Sequence, residues 1–188
     1  MLTYKPLNTQ NFQDFEELFG PHGACAGCWC MFWKLSQKDF KLLSGDGTHA
    51  LQKSLVEEGL EPGILAYNGN HAIGWIAFEP RRNYPRLARS RVLKPVDDLE
   101  VWSISCFFVA KTQRRKGVTI GLLKEAVKYV ASKDGEIVEG YPVEPKKNLP
   151  DPFVYTGLPS AFIQAGFNEI ARFSPTRPIF RMYIHEYK

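Results

Sequence analysis

The 188-residue sequence predicts an α/β fold, and three observations carry that prediction. An apolar strand, a short basic turn bearing a glycine and an amphipathic helix follow one another without a break from Cys106 to Leu123. Two apolar runs, Ile64 to Tyr67 and Ala72 to Phe78, flank Asn68-Gly69-Asn70, a strong hairpin signal. Elsewhere, segments with apolar residues at helical spacing are interleaved with segments that alternate or are continuously apolar.

Taken in order, Leu2 to Leu7 alternates weakly and reads as a first strand. From Asn11 to Phe19 the residues Phe12, Phe15, Leu18 and Phe19 recur at helical spacing, so a helix follows. Pro21 to Trp33 is a loop that turns into something apolar, and its pattern does not choose between helix and strand. Ser36 and Asp46 stand where N-caps of two short helices belong, the second running through Ala50, Leu51, Leu55 and Val56 to Gly59. After the hairpin, an arginine-rich connection leads to Val101–Val109. There Val101, Ser103, Ser105, Phe107 and Val109 alternate with Trp102, Ile104, Cys106 and Phe108, and both sets end apolar, as in a central strand covered on both faces. Leu123, Ala126, Val127 and Val130 then keep the i, i+3, i+4, i+7 rule, with Lys124, Glu125 and Lys128 outward. Glu136 to Val143 is the next strand. A proline-rich connection from Pro142 to Pro159 leads to a short helix over Ser160–Ala165, ended by Gly166-Phe167. Strands near Asn168–Phe173 and Ile179–Ile184 complete the order. No internal repeat or domain boundary interrupts it, so residues 1–188 are expected to form one domain, large enough to bury a substantial core.

Hydrophobic residues at 44% and charged residues at 23% exclude the disordered and fibrous classes. No apolar run approaches membrane-spanning length, and Met1 to Pro6 lacks a basic-then-apolar leader pattern, so no membrane partner is expected. Four cysteines, three of them crowded into Cys25, Cys28 and Cys30, do not make a secreted disulfide framework and point to a reducing cytoplasm. The net charge of +4 is local: Arg81, Arg82, Arg86, Arg89, Arg91 and Lys94 lie in one stretch without an acidic residue. Setting those six aside leaves 18 of the 24 basic residues against 20 acidic ones. A nucleic-acid partner, which calls for basic residues spread along a binding face, is therefore not expected.

The turn after Val109 carries the functional signal. A strand running through a basic glycine turn into a helix aims several backbone N–H groups, and the positive end of the helix macrodipole, at one spot. Such a spot suits a phosphate or pyrophosphate, and flanking Arg and Lys side chains add charge-assisted bonds. A diphosphate-bearing ligand is the first expectation.

In its residues this pattern resembles the GCN5-related N-acetyltransferase (GNAT) superfamily, whose acetyl-CoA motif is a strand ending in Val, then Arg or Gln, two residues, Gly, one residue, and Gly or Ala. Here Val109 ends the strand, Arg114 follows five positions later, Gly117 comes three after that, and Thr119 stands at the last position. The hairpin leading into Ile73-Gly74-Trp75-Ile76-Ala77-Phe78 resembles the superfamily's second and third strands. Phe162-Ile163-Gln164-Ala165-Gly166-Phe167 resembles its last helix with the Gly-Phe exit. The resemblance spans Leu2 to Ile184 and implies a single GNAT-like domain with a mixed, mostly antiparallel sheet of six or seven strands flanked by helices. It also implies transfer of an acetyl group from acetyl-CoA, with no metal, to a primary amine of a small molecule or peptide; a homodimer is open, since the sequence does not set the oligomeric state. On that resemblance Phe107, Phe108, Val109, Arg114, Arg115, Lys116, Gly117, Val118, Thr119 and Ile120 bind the cofactor. The strand edge pairs with the pantetheine arm where it splays from Glu136–Val143, and a backbone N–H around Phe108 or Val109 serves the thioester oxygen.

Two residues depart from the pattern. Thr119 replaces the small residue that usually lets the backbone approach the pyrophosphate. Phe162 stands four residues before Gly166, where many members carry a tyrosine that protonates the leaving thiolate. The second departure suggests an alternative: a non-catalytic or weakly catalytic acyl-CoA-binding or sensor protein of the same fold.

Candidates for the chemistry follow. Glu100, at the start of the motif strand, is the candidate base, on the expectation that burial beside Trp102, Ile104 and Cys106 raises its pKa; otherwise it is an exposed strand-end carboxylate. Tyr155 and Tyr141 are the candidate acids in place of Phe162. Cys106 is a conceivable nucleophile or, more simply, a small buried hydrophobe. His22, Cys25, Cys28 and Cys30 offer four metal-ligand types, but in a cluster more compressed than two knuckles and a loop. Trp29, Phe32 and Trp33 either line the acceptor pocket or pack in the core. The Arg81–Lys94 stretch either receives an acidic or phosphorylated acceptor or is simply a basic loop.

Overall fold

The computed structural model describes residues 1–144 and 154–187. Gly69 turns the hairpin with a positive φ of 60°, so that β2 (Gly63–Asn68) and β3 (His71–Pro80) pair with Asn68 opposite His71. Around this hairpin the other strands are β1 (Leu2–Pro6), β4 (Trp102–Val109), β5 (Ile137–Gly140), β6 (Asn168–Arg172) and β7 (Pro178–Tyr183). They join in one seven-stranded sheet, ordered β1-β2-β3-β4-β5-β7-β6. All neighbours are antiparallel except β4 and β5, which run parallel because a helical crossover connects them.

The helices are α1 (Phe12–Phe19), α2 (Gln37–Leu43), α3 (Asp46–Glu57), α4 (Pro85–Ala88), α5 (Val118–Ser132) and α6 (Pro159–Gln164). Ser36 caps α2 as expected, its hydroxyl accepting from the Asp39 N–H at 3.1 Å. Gly45, and not Asp46, is the N-cap of α3; the Thr48 hydroxyl accepts from its N–H at 3.1 Å. The expected strand over 136–143 contracts to Ile137–Gly140, and the arginine-rich connection contains a 3₁₀ turn at 81–83 and α4. Much of the proline-rich connection lies outside the described residues.

α5 and α6 cover one face of the sheet, where Ile76, Phe78, Ile104 and Phe107 meet Leu122, Leu123, Val127 and Phe162. α1 and the 28–30 loop cover the other, where Phe15, Phe19 and Trp29 meet Leu65 and Trp75. The loop bends through left-handed conformations at Trp29 and Cys30, with φ of 42° and 60°. Packing holds it there: Trp29 stacks on Phe19 with ring centroids 5.7 Å apart and meets His49 edge-on at 4.5 Å.

Strict alternation along β4 fails at Ser105. Ala77 pairs with Cys106 while its neighbour Phe78 pairs with Ile104, so Ser105 is an extra residue, a β-bulge. Trp102 and Ile104 therefore share a face with Phe107 and Val109, not with Cys106 and Phe108. Pairing with β5 stops at the same point, since Ile104 opposite Gly140 is the last partnered position. Beyond it the two strands part, and Val154–Gly157 lies between them. The Phe107 N–H donates to the Tyr155 carbonyl at 2.6 Å, and the Val143 N–H donates to the Gly157 carbonyl at 2.9 Å.

Gly140 is essential at the fork for lack of a side chain, because the Phe162 ring occupies the space a β-carbon would need. Phe162 is fully buried against Phe107, Phe167 and Phe180 and has nowhere to retreat. Gly140→Ala is expected to destabilise the fold by about 1–3 kcal/mol through overpacking, read as a lower urea midpoint at unchanged m-value. A variant as stable as the parent would show that the ring does not sit over Gly140.

Candidate functional site

The site is built along β4 and its continuation. A 3₁₀ turn at 111–113 follows Val109 and Ala110, and the chain then enters left-handed conformations at Arg115, φ 60°, and at Gly117, φ 77°. Gly117 is the N-cap of α5, and the space its β-carbon would take is open. The first intrahelical bond runs from the Gly121 N–H to the Gly117 carbonyl at 3.1 Å. The N–H groups of Val118, Thr119 and Ile120 therefore precede the helical ladder and stand at the positive end of the α5 dipole. Val118 is buried over Gly74, Thr119 and Ile120 are half-buried, and Arg114, Arg115, Lys116 and Gly117 are exposed. Nε of Arg114 donates to the Val109 carbonyl at 3.1 Å, which folds the turn back on the strand end. Thr119 at the motif's last position keeps its N–H in this first turn.

Upstream lies the fork. Alternation along β4 directs the N–H groups of Phe107 and Val109 to the β5 side, since Phe107 bonds Tyr155 there while Ala110 bonds Ile73 of β3 on the opposite side. Phe108 has the parity of Ala110, so its N–H faces β3 and not the fork; its ring packs on Phe19 at 5.2 Å. Of the two backbone donors expected for a ligand carbonyl, Phe108 is thus misdirected and Val109 faces the open edge.

Tyr155 joins the fork to a chamber of packed side chains, among them Phe32, Trp33 and Arg86, on the face of the sheet away from α5. Its carbonyl sits in the fork, its ring meets Phe32 at 6.2 Å, and its phenol lies within electrostatic reach of Cys106, Arg177, Cys28 and Arg86. Burial, with a smaller contribution from Cys106, pushes the phenol up to about 12, so it keeps its proton through the neutral range. Tyr141 is otherwise engaged. Its hydroxyl meets Ser103 at 2.7 Å, Glu139 at 2.6 Å and Arg81 at 2.5 Å, which leaves it no role as a free proton donor.

Glu100 is where the expectation fails. It precedes β4, its side chain is 88% exposed, and it pairs with Arg82 at 2.9 Å. Burial beside Trp102 and Ile104 does not occur, because Glu100 lies two residues before the strand begins. The basic stretch also divides. Arg81 is turned inward to Glu139, Arg82 pairs with Glu100, Lys94 lies over the Phe173 ring, and Arg86 enters the chamber. Trp29 is core, whereas Phe32 and Trp33 lie beside Arg86. Arg177 belongs to the chamber with no local sequence signal, because the fold brings it there just ahead of β7.

The Cys106 thiol is held well above its ordinary range, first by its contact with Cys30 and then by burial, which argues against a nucleophile. Cys30 accepts from the indole N–H of Trp75 at 3.0 Å. Among the described residues no group of three or more His, Cys, Asp or Glu side chains is arranged to hold a metal ion. A cavity of about 990 Å³ lies elsewhere, between α1, the Pro21–Gly27 loop and the start of α3. Tyr155 and Phe162 occupy the fork. No described helix is long and apolar enough to cross a membrane.

Residues 29–149 match the model of the acetyltransferase (GNAT) family. Among curated proteins, none matches the sequence. The fold is similar to that of an acetyltransferase of the GNAT family from Listeria monocytogenes, at 9% identity and a TM-score of 0.58, over 97% of this chain and 94% of that one. It is also similar to the PaiA N-acetyltransferase of Thermoplasma acidophilum in complex with coenzyme A, at 13% identity and a TM-score of 0.54, over 97% and 99% of the two chains. A third is the ribosomal-protein-S5-alanine acetyltransferase of Vibrio fischeri, at 10% identity and a TM-score of 0.56, over 100% and 95%.

The thiol environments order reactivity. Cys25 is exposed, whereas burial pushes Cys28 up to about 12 and Cys106 is higher than ordinary for the reasons above. In the folded protein at neutral pH, iodoacetamide is expected to label Cys25 well before Cys28 or Cys106, as read by peptide mass spectrometry. Preferential labelling of Cys106 would restore it as a nucleophile.

Proposed function

The chain belongs to the acetyltransferase (GNAT) family, and on that premise we propose that it transfers an acetyl group from acetyl-CoA to a primary amine of a small molecule or peptide. One observation carries the reading: β4 parts from β5 directly ahead of a turn whose open side faces the first N–H groups of α5. A long ligand with a diphosphate at one end fits that continuity. Val118, Thr119 and Ile120 would offer backbone N–H groups to its phosphates, with Arg114, Arg115 and Lys116 around them, and the open edge of β4 at Val109 would pair with its amide arm. The coenzyme A bound by the Thermoplasma acidophilum structure is in keeping with this assignment.

In the proposed reaction the neutral amine attacks the thioester carbon, and the Val109 N–H steadies the developing negative charge on oxygen. The carbon–sulfur bond then breaks. The phenol of Tyr155 gives its proton to the departing thiolate, the amine loses one to water, and Tyr155 is reprotonated from solvent. Tyr155 suits this role because it carries its proton and stands at the fork, whereas Phe162 has none to give. Glu100, exposed on Arg82, is not the base that its place in the sequence suggested; water takes the amine proton.

A second reading is favoured by the bond between the Phe107 N–H and the Tyr155 carbonyl, which occupies the inner part of the fork. A chain that keeps this bond would bind acyl-CoA with little or no turnover.

Two variants test these assignments. Gly117→Trp fills the open side of the turn and is expected to abolish acetyl-CoA binding by calorimetry in a protein that remains folded; unchanged affinity would remove the turn from the site. Tyr155→Phe is expected to lower kcat by roughly 10²–10⁴-fold while leaving acetyl-CoA affinity intact. Because the phenol keeps its proton to about 12, parent activity should not decline with rising pH below 10 through loss of this group. An unaltered kcat in Tyr155→Phe, with CoA release measured across an amine panel, would take Tyr155 out of the mechanism. Acetyl-CoA binding without release for any amine would favour the second reading.

A further inference from the structure

The chamber beside Tyr155 holds two arginines that differ from those around them. Arg81 and Arg181 meet Glu139, Arg181 also meets Asp97, Arg82 meets Glu100, and Arg172 meets Glu144 and Glu169. Arg86 and Arg177 meet no carboxylate among the described residues. Nε of Arg86 donates to the Leu35 carbonyl at 3.0 Å, and its guanidinium lies 4.0 Å from the centroid of the Phe32 ring. One Nη of Arg177 donates to the Tyr141 carbonyl at 3.2 Å. Among the described residues, Nη2 of Arg86 and Nε of Arg177 are buried without a hydrogen-bond partner, and so is the indole N–H of Trp33. Trp33 belongs to the same place, because its ring meets the Phe32 ring edge-on with centroids 5.3 Å apart, and the Arg86 guanidinium lies over that Phe32 ring. Both guanidinium groups act electrostatically on the Tyr155 phenol, and burial lowers the pKa of each.

These three orphaned groups can only donate. Both arginines are partly buried, and buried donor atoms left unmet in a native fold call for an explanation. The complementary ligand accepts hydrogen bonds at several oxygens and carries negative charge, which describes a carboxylate or a phosphate. The chamber adjoins the phenol assigned above to the leaving thiolate, so a group bound there belongs to the acceptor.

We propose that Arg86, Arg177 and the indole N–H of Trp33 bind the carboxylate or phosphate of the acceptor, so that the amine acetylated by this chain is an anionic one. The inference rests on the transferase reading above, and it selects a substrate class within it: amino acids, acidic peptides or phosphorylated amines, rather than polyamines or neutral amines.

The test compares matched probes on CoA-loaded protein by calorimetry, and on protein with acetyl-CoA by thiol release. Amino acids are set against their amides, and O-phosphoethanolamine against ethanolamine. The anionic member of a pair is expected to bind at least tenfold more tightly, with the amino acid pairs reporting a carboxylate and the other pair a phosphate. Arg86→Gln and Arg177→Gln should each remove that preference while leaving acetyl-CoA affinity unchanged, and Arg86→Lys and Arg177→Lys should keep part of it. Removing an unpaired buried charge should also leave the ligand-free melting temperature of Arg177→Gln unchanged or higher, which a merely structural arginine would not do. Equal binding of charged and neutral members, or no binding of either, overturns the inference. Failure of the parent protein to bind acetyl-CoA would instead overturn the transferase reading.

Discussion

The parting of β4 from β5 is the constraint from which the rest of the site follows. A parallel pair held over three positions and then released leaves backbone donors and acceptors facing a gap, which an interior cannot leave unmet. The extra residue at Ser105 bends β4 just where the pairing ends, and Gly140 lets the Phe162 ring wedge into the angle. One side of the angle is thereby packed with aromatic rings, and the other is left to a polypeptide carbonyl. The bond from the Phe107 N–H to Tyr155 meets the exposed edge from within the chain, with geometry that an amide-bearing ligand could also satisfy.

A fork of this kind needs a rigid outer strand, and β5 is anchored by charge. Glu139, 1% exposed in its side chain, receives Arg181 from the neighbouring β7 at 2.7 Å, Arg81 at 3.1 Å and the Tyr141 hydroxyl at 2.6 Å. Arg181 is in turn held by Asp97 at 2.6 Å. Burying such a network adds less to stability than its short distances suggest, because each charge has given up water. Breaking it is another matter, since removing one partner leaves the others unpaired in a dry environment. The arrangement therefore fixes where β5 lies more than it deepens the energy well. It joins the connection after β3 to the last strand pair.

Local signals were legible in the sequence, and pairwise ones were not. The change from a strand to a 3.6-residue period between Val109 and Leu123 located α5 and its turn, and Asn68-Gly69-Asn70 located the hairpin, because both are encoded by neighbouring residues. The bulge at Ser105 was not legible, since it exists only in relation to Ala77 and Phe78 on the adjacent strand. Its omission put Trp102 and Ile104 on one assumed face with Cys106 and Phe108. Glu100 was misread for a related reason: a strand-end carboxylate is buried only if the strand extends past it, and β4 begins at Trp102. Arg86 was visible only as part of a basic stretch whose members have separate fates. Arg177, between a serine–proline turn and β7, gave no sign at all, because its significance depends on residues distant in sequence, among them Tyr141, 36 positions away.

The two uncompensated arginines bear on the chemistry as well as on recognition. An amine must be neutral to attack, and a protonated amine entering a chamber that already holds two guanidinium groups meets repulsion that lowers its pKa. If a monocarboxylate occupies the arginines, one positive charge of the pair remains, and it continues to disfavour the ammonium form. The chamber can then supply by electrostatics what a dedicated carboxylate base supplies by proton abstraction, which removes the need for Glu100 to be buried. The same field would favour the thiolate as it forms, while the phenol of Tyr155, kept protonated by burial, is in place to quench it. In the proposed reaction, acceptor recognition, amine activation and thiolate release would thus draw on one feature: two guanidinium groups near Tyr155 that meet no carboxylate among the described residues.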